Sequence, residues 1–382
     1  MEIKLGPLVS RLSHKVNKYT LLGLLSVITS PAYAYPVILD TDFTLNSIIY
    51  FAKNNNTDLQ AITIACSGEA HCEPGKHNAI RVLDLLPSHP EVPVAAGDDY
   101  PLDGFFVFPA QWREAIDNFG SSNVINSEAS NVNLPPASYK PSELSAVELI
   151  HQTISQSTEA VTIVADGPLT NIAQWLLQYP ADVDKVDRLV IMGGALNAGG
   201  NIIVKGFTDD HPNTKAEWNF LIDPLAVKIV FSSALNIVLV PLDATNYMLV
   251  TNEYVTQFDS LAHTPEAEFI SNIYKINGEF IASGEYYFWD ELANLVTTHP
   301  ELCGDAVTTP LEVKVDYLTE PDYVQTSDLS MPATRWDGKP RQHIKAETAG
   351  VISRSETGQP ITVCMTTQAE KAFHLFTETL TQ

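Results

Sequence analysis

Pro36-Val37-Ile38-Leu39-Asp40-Thr41-Asp42-Phe43-Thr44-Leu45-Asn46-Ser47-Ile48-Ile49-Tyr50 reads as a strand, a corner and the start of a helix. A short apolar run ends in two carboxylates one residue apart, and apolar residues then recur at helical spacing. Side chains of an extended chain alternate, so Asp40 and Asp42 fall on the same side of it. In an open α/β sheet, ligands bind at such corners, outside the carboxyl ends of the strands.

Outward from this corner, strand and helix patterns alternate. Leu59–Ala65, Val92–Ala96, Val161–Ala165, Arg188–Met192, Leu235–Leu242, Leu311–Val315 and Ile361–Cys364 are expected strands. Helical spacing is expected near Asn46–Lys53, from Pro74 to Leu86, over Ala146–Ser157, Leu225–Phe231, Pro265–Ile281 and Asp290–Thr297, and from Gln368 onward. Pro168 is expected in the opening turn of a further helix. Such alternation predicts an α/β fold: a single open, mostly parallel sheet with helices on both faces and a Rossmann-like core. Neither an internal repeat nor a linker interrupts it, so residues 35–382 are expected to form one domain.

The stretch Gly97 to Ser142 breaks the rhythm, being rich in Pro, Asn, Ser and aromatics. A loop of that length inside a domain is usually a lid or binding loop. Trp112, Arg113 and Asp117 are expected on a short helix there, with Trp112 a core or lid-packing residue rather than a second aromatic face for a ligand.

At the N-terminus, Lys4, Arg11, Lys15 and Lys18 precede an apolar run, Leu21–Ile28, that ends in Ala32-Tyr33-Ala34. Residues 1–34 therefore read as a secretory signal peptide, and the run is short for a membrane span. Export to the periplasm or outside the cell is the expectation. The chain carries a formal net charge of −24. That excludes nucleic acid and anionic membrane surfaces as natural partners, because both need a basic face. Cys66, Cys72, Cys303 and Cys364 allow two disulfides in an oxidising compartment. Cys66–Cys72 with Cys303–Cys364 is the simplest of three pairings.

Polar signals recur at the expected strand ends: Asp40 and Asp42, Asp166, Gly193-Gly194 and Asp243. In a parallel sheet these ends share one face. Oxygen ligands from several loops suit a hard cation such as Ca²⁺, and a bound cation acidifies its water. Asp166 could instead cap the following helix, a role Asp fills well.

At this point the chain resembles the inosine/uridine-preferring nucleoside hydrolases, calcium-dependent enzymes that cleave the N-glycosidic bond of ribonucleosides. Asp40-Thr41-Asp42, Gly167-Pro168-Leu169-Thr170-Asn171, Met192-Gly193-Gly194 with Gly200-Asn201, Ala216-Glu217-Trp218-Asn219 with Asp223-Pro224, and Trp289-Asp290 carry the resemblance. It spans nearly all of residues 36–380. The resemblance implies Asp42 and Asp290 as calcium ligands and Asp166 where a backbone carbonyl binds the metal. It implies Asn201, Glu217 and Asn219 on the ribose hydroxyls, and Met192 and Trp289 against the substrate. Trp289 would stack on the base, as in purine-preferring members. Glu69 or His71, Glu285 and the Tyr286-Tyr287-Phe288 cluster are expected near or along the pocket. Family members are often dimers or tetramers, so a homo-oligomer is implied.

The opening motif of the family reads Asp-Thr-Asp-Pro-Gly-x-Asp-Asp. Here Phe43-Thr44 replaces Pro-Gly, and Asn46 and Ser47 replace the two closing acids. By the resemblance, position 46 is the general base and position 47 a calcium ligand. An amide has no basic lone pair in the useful range. Serine keeps one oxygen without the charge, which weakens a calcium site. Asp166 offers a carboxylate in compensation, as metal ligand or base. Three readings follow: a purine-leaning hydrolase with a remodelled metal site, a catalytically inactive relative that binds a nucleoside, sugar or protein partner, and a different glycosidase or a metal-free hydrolase using Asp42 and Asp166 as an acid pair.

Overall fold

In the computed structural model, Tyr35–Thr41 is a strand (β1) with a parallel neighbour on each edge. The structure describes residues 34–42, 45–103, 110–118, 124–127, 134–318, 333–335 and 337–382. The leader, Phe43-Thr44 and parts of the 97–142 segment lie outside the described residues. The other strands are β2 Thr57–Ile64, β3 Val94–Ala96, β4 Val161–Ala165, β5 Val186–Met192, β6 Ile237–Val240, β7 Val307–Val313, β8 Ile352–Arg354 and β9 Pro360–Val363. They form one sheet in the order β3-β2-β1-β4-β5-β6-β9-β7-β8. Pairing is parallel from β3 through β6 to β9, and β7 joins β9 and β8 antiparallel. The mostly parallel α/β sheet expected from the sequence is present.

β1 shows why both faces are covered. Val37 and Leu39 enter one core layer with Ile48, Ile49 and Leu292, whereas Ile38 enters the other with Ile150, Ile172 and Trp175. This is the two-sided burial of a central parallel strand. Residues 34–382 make one compact unit by contact density.

Element ends shift where local chemistry competes with periodicity. The helix after Pro168 begins at Thr170, so the proline precedes it rather than opening it. The helical pattern from Pro265 divides into Pro265–Ile276 and Gly278–Ser283. Asn277 ends the first helix, and Gly278 opens the second. β6 stops at Val240, and Leu242 starts the short helix Leu242–Thr245 after Pro241. β8 has only three residues and no distinct pattern of its own.

Both expected disulfides form, Cys66–Cys72 and Cys303–Cys364, with Cα atoms 5.3 and 4.8 Å apart. Among the described residues no helix is long and apolar enough to cross a membrane.

Candidate active site

The chain order reverses between β1 and β4: β2 and β3 lie on one side of the pair, β5 and β6 on the other. This switch point opens a crevice at the carboxyl ends of the strands. Asp42 leaves β1 there and Asp166 leaves β4, with the Asp166 N–H donating to the Asp40 carbonyl at 3.0 Å. The same ends contribute Met192 from β5 and Leu242 after β6 to a cavity of about 350 Å³. That is within the range of small-molecule sites.

Asp40 supports rather than lines this cavity. Its Oδ1 accepts from Thr63 Oγ1 at 2.6 Å and Asn171 Nδ2 at 2.7 Å. Burial pushes its carboxyl up to about 7, against the effect of those two donors. Asp42 does line the cavity, and its Oδ2 accepts the Glu69 N–H at 3.0 Å. Gly68 and Gly167 pack directly on it; a Cβ on Gly68 would stand 2.0 Å from Asp42 Oδ2. The glycine at 68 is thus the space that lets the disulfide loop reach the carboxylate. Burial, then the negative charge of Glu69, raise the Asp42 carboxyl well above the ordinary carboxylate range.

Asp166 is not a helix cap. The following helix takes Leu169 as its N-cap with no side-chain bond. Instead Asp166 Oδ2 accepts from Ser47 Oγ at 2.7 Å, and Ser47 Oγ accepts from Asn294 Nδ2 at 2.7 Å. Burial holds the Asp166 carboxyl up at about 7 against the lowering effect of the Thr41 and Ser47 hydroxyls. Asn46, next along the helix Leu45–Lys53, donates through Nδ2 to Glu291 Oε1 at 3.1 Å. It is buried behind the cavity wall and is not one of the residues that line it.

The expected ribose-side residues are brought together, but part of their capacity is spent on the backbone. Glu217 is the N-cap of the helix Trp218–Ile222, accepting from the Asn219 and Phe220 N–H groups, and also takes the Gly194 N–H at 3.0 Å. Burial nevertheless pushes its carboxyl up to about 7. Asn201 Oδ1 accepts the Trp218 N–H at 2.9 Å. Asn219 Nδ2 stands 3.4 Å from both the Asp166 and Met192 carbonyls, long enough to exchange them for a better acceptor. Asp243 serves the fold by accepting the N–H groups of Leu196, Asn197 and Ala198.

Asp42, Asp166, Asp290, Met192, Asn201, Glu217, Asn219 and Trp289 all line the one cavity. Two aromatic groups join them. Trp289 stands with Tyr286, Tyr287 and Phe280, and Trp218 with Phe207. Trp112, on the helix Ala110–Ile116, stacks on Trp218 with centroids 5.5 Å apart and also meets Phe207 and His211, so it packs against residues outside the 97–142 segment and does not line the cavity. Glu69 and Glu285 line the cavity. His71 instead bonds Asp117 at 2.9 Å, and Phe288 turns into the core against Phe373 and Phe376.

The sequence reading missed Glu291 and Asn294. They are polar, buried and three residues apart on the helix Asp290–Thr298. Buried polar positions at that spacing on an apolar helix were the available signal.

Among the described residues, no three His, Cys, Asp or Glu side chains are already grouped as a metal cage. The donor chemistry still fits a hard cation. Six carboxylates (Asp42, Glu69, Asp166, Glu217, Glu285, Asp290) line the cavity, and no described Lys, Arg or His does. Buried Asp166 Oδ1, with the neighbouring Thr41 hydroxyl, makes no hydrogen bond at ordinary distance.

Comparison with known proteins agrees with this geometry. The chain is 32% identical over 235 residues to the pyrimidine-specific ribonucleoside hydrolase RihA of Escherichia coli, covering 60% of this chain and 67% of RihA. Its fold is similar to the inosine-uridine preferring nucleoside hydrolase of Bacillus anthracis, with a TM-score of 0.65 at 20% identity over 91% of this chain and 99% of the other. It is also similar to the purine-preferring ribonucleoside hydrolase of Gardnerella vaginalis, with a TM-score of 0.66 at 23% identity over 91% and 98%. The sequence model of the inosine-uridine preferring nucleoside hydrolases matches residues 37–373, nearly the whole described chain, and the chain belongs to that family.

Proposed function

We propose that this protein is an exported hydrolase of the N-glycosidic bond of ribonucleosides, purine-leaning, working through a remodelled calcium site. The observation that carries the reading is the convergence of Asp42, Asp166 and Asp290 with Asn201, Glu217 and Asn219 on one aromatic-walled cavity. Asp42, Asp166 and Asp290 would hold the cation. When bound, it would polarise the attacking water and offset the charge of the buried acids.

The chain's own residues account for the rest. Asp42 has one oxygen committed to the Glu69 N–H and keeps the other to accept a proton from water. The water oxygen bonds to the anomeric carbon, the carbon–nitrogen bond breaks, and its electron pair leaves with the base, which takes up a proton from solvent as Asp42 later returns its own to water. Positive charge grows on the ribose in between, and the acidic floor of the cavity favours that charge over the neutral substrate. Asn201 and Asn219 orient the sugar hydroxyls. Trp289 and its tyrosine neighbours offer an aromatic face to the base.

Hydrolysis of inosine, adenosine, guanosine, uridine and cytidine, with calcium and with chelator, tests the reading. Calcium-dependent release of purine bases is the expected result. No turnover of any nucleoside would overturn it. Trp289→Ala should raise KM for inosine about tenfold, the worth of one stacked base, and change KM for uridine less. An equal change for both would remove the stacking assignment.

One observation favours the inactive alternative. Asn46 stands at the position that the family resemblance gives to the base, and it is tied to Glu291 rather than turned to the cavity. Nucleoside binding without turnover would select that reading.

Export is supported by the basic, then apolar, then Ala32-Tyr33-Ala34 pattern of the leader. The mass of protein recovered from the host periplasm or medium should correspond to a chain starting at Tyr35. Protein retaining Met1 would overturn it.

A further inference from the structure

Two helices that begin at the cavity face each other across a buried polar seam. Leu45–Lys53 contributes Asn46 and Ser47, and Asp290–Thr298 contributes Glu291 and Asn294. Two hydrogen bonds cross the seam, Asn46 to Glu291 and Asn294 to Ser47, and Ser47 carries the second on to Asp166. All of these side chains are buried.

Donor and acceptor chemistry gives the second chain a direction. An amide nitrogen can only donate, and a hydroxyl has a single proton. Asn294 Nδ2 donates to Ser47 Oγ, so the Ser47 proton is left for Asp166 Oδ2. The opposite amide orientation would draw that proton to Asn294 and set two oxygen lone pairs against each other at the 2.7 Å Ser47–Asp166 contact. An ionised Asp166 therefore requires Asn294 as donor. Its Oδ2 is committed to Ser47, while its Oδ1 forms no hydrogen bond at ordinary distance although the Thr41 hydroxyl stands by the same carboxyl, and Oδ1 is the oxygen left for a ligand.

We propose that Ser47 and Asn294 are positioning residues, which fix the Asp166 carboxylate so that Oδ1 is presented to a divalent cation in the cavity shared with Asp42 and Asp290. Ser47 is not among the residues that line the cavity, so it acts through Asp166 rather than ligating the cation itself. The loss of an acid at position 47 is then met by a relay that aims the acid at position 166. This inference rests on the calcium reading above, and the test separates the two.

The experiment is calorimetric titration of the purified protein with Ca²⁺, with melting temperature in chelator as a check on folding. Ser47→Ala removes the relayed proton, and Asn294→Asp is isosteric but turns the donor into an acceptor. Each should weaken calcium binding about tenfold or more, as expected for a lost hydrogen bond to a charged group. Ser47→Thr keeps the hydroxyl and should bind within about threefold of the parent, a difference below 1 kcal/mol. Asp166→Asn should weaken binding at least as much as Ser47→Ala. If Asp166→Asn weakens binding while Ser47→Ala and Asn294→Asp bind like the parent, the relay is overturned and the metal reading stands. If the parent binds no calcium, or Asp166→Asn and Asp290→Asn bind like the parent, the metal reading fails and the relay with it. Should Asn294→Asp not fold, the Ser47→Ala and Ser47→Thr pair decides.

Discussion

Replacing Asp42 by alanine is expected to lower kcat/KM for inosine by roughly 10²–10⁴-fold, the usual contribution of a positioned acid–base group. The same change should leave the melting temperature in chelator at pH 8 unchanged or higher. Burial and the charge of Glu69 raise the Asp42 carboxyl above its ordinary value, so folding favours the protonated form. The stability such a group adds is fully present below its unfolded pKa and is lost as the pH rises through the folded value. Without a cation, ionising that buried carboxyl is a cost that alanine removes. With calcium the order should reverse, because the parent gains binding energy that the variant lacks. Steady-state kinetics and melting curves in chelator and in calcium check both halves. Activity within tenfold of the parent would remove Asp42 from the chemistry, and a clear loss of stability in chelator would recast it as a structural residue.

This pairing of lost activity with retained stability follows from how the site is built. Asp40, Asp42, Asp166, Glu217 and Glu291 are all buried and all held above the ordinary carboxylate range by burial. Such an assembly is costly to fold around unless a cation or a positively charged reacting group shares it. The backbone contributes as well. Gly68, Gly167 and Gly194 bring main chain against Asp42 and Glu217 where side chains would not fit or a positive φ is needed.

The fold was legible because its signals are local. Val37–Leu39, Val161–Ala165 and Arg188–Met192 are apolar runs ending in polar corners, and parallel strands buried on both faces read that way. The Asp42, Asp166 and Asp290 positions were legible for the same reason, each standing at an element end. What the side chains do there was less visible. Asn46 and Glu291 are 245 residues apart, and Ser47 and Asn294 are 247 apart, so no local pattern joins them. Glu217 reads in sequence as a free acid, yet two of its backbone partners come from the turn it caps and a third from Gly194. Phe288 follows two pocket tyrosines, and only packing against Tyr254, Tyr274 and Phe376 turns it inward.

Placing acids at positions 46 and 47, as the family resemblance would have them, is the sharpest test of how the seam is built. From the motif alone, Asn46→Asp with Ser47→Asp should create calcium binding. The structure adds a cost. An aspartate at 46 would face Glu291 where an amide now donates at 3.1 Å, and an aspartate at 47 would face Asp166 where a hydroxyl now donates at 2.7 Å. Both pairs lie in the protein interior, and an uncompensated buried charge costs about 3–5 kcal/mol. The double variant is therefore expected to melt well below the parent in chelator. Calcium should restore part of that loss, since the added carboxylates can share the cation, so the calcium-induced rise in melting temperature should exceed the parent's. Adding Glu291→Gln should recover further stability, because a neutral amide can donate to the new carboxylate at 46. A double variant as stable in chelator as the parent would show that the seam tolerates paired acids, and the coupling of Asn46 to Glu291 would then have no energetic content.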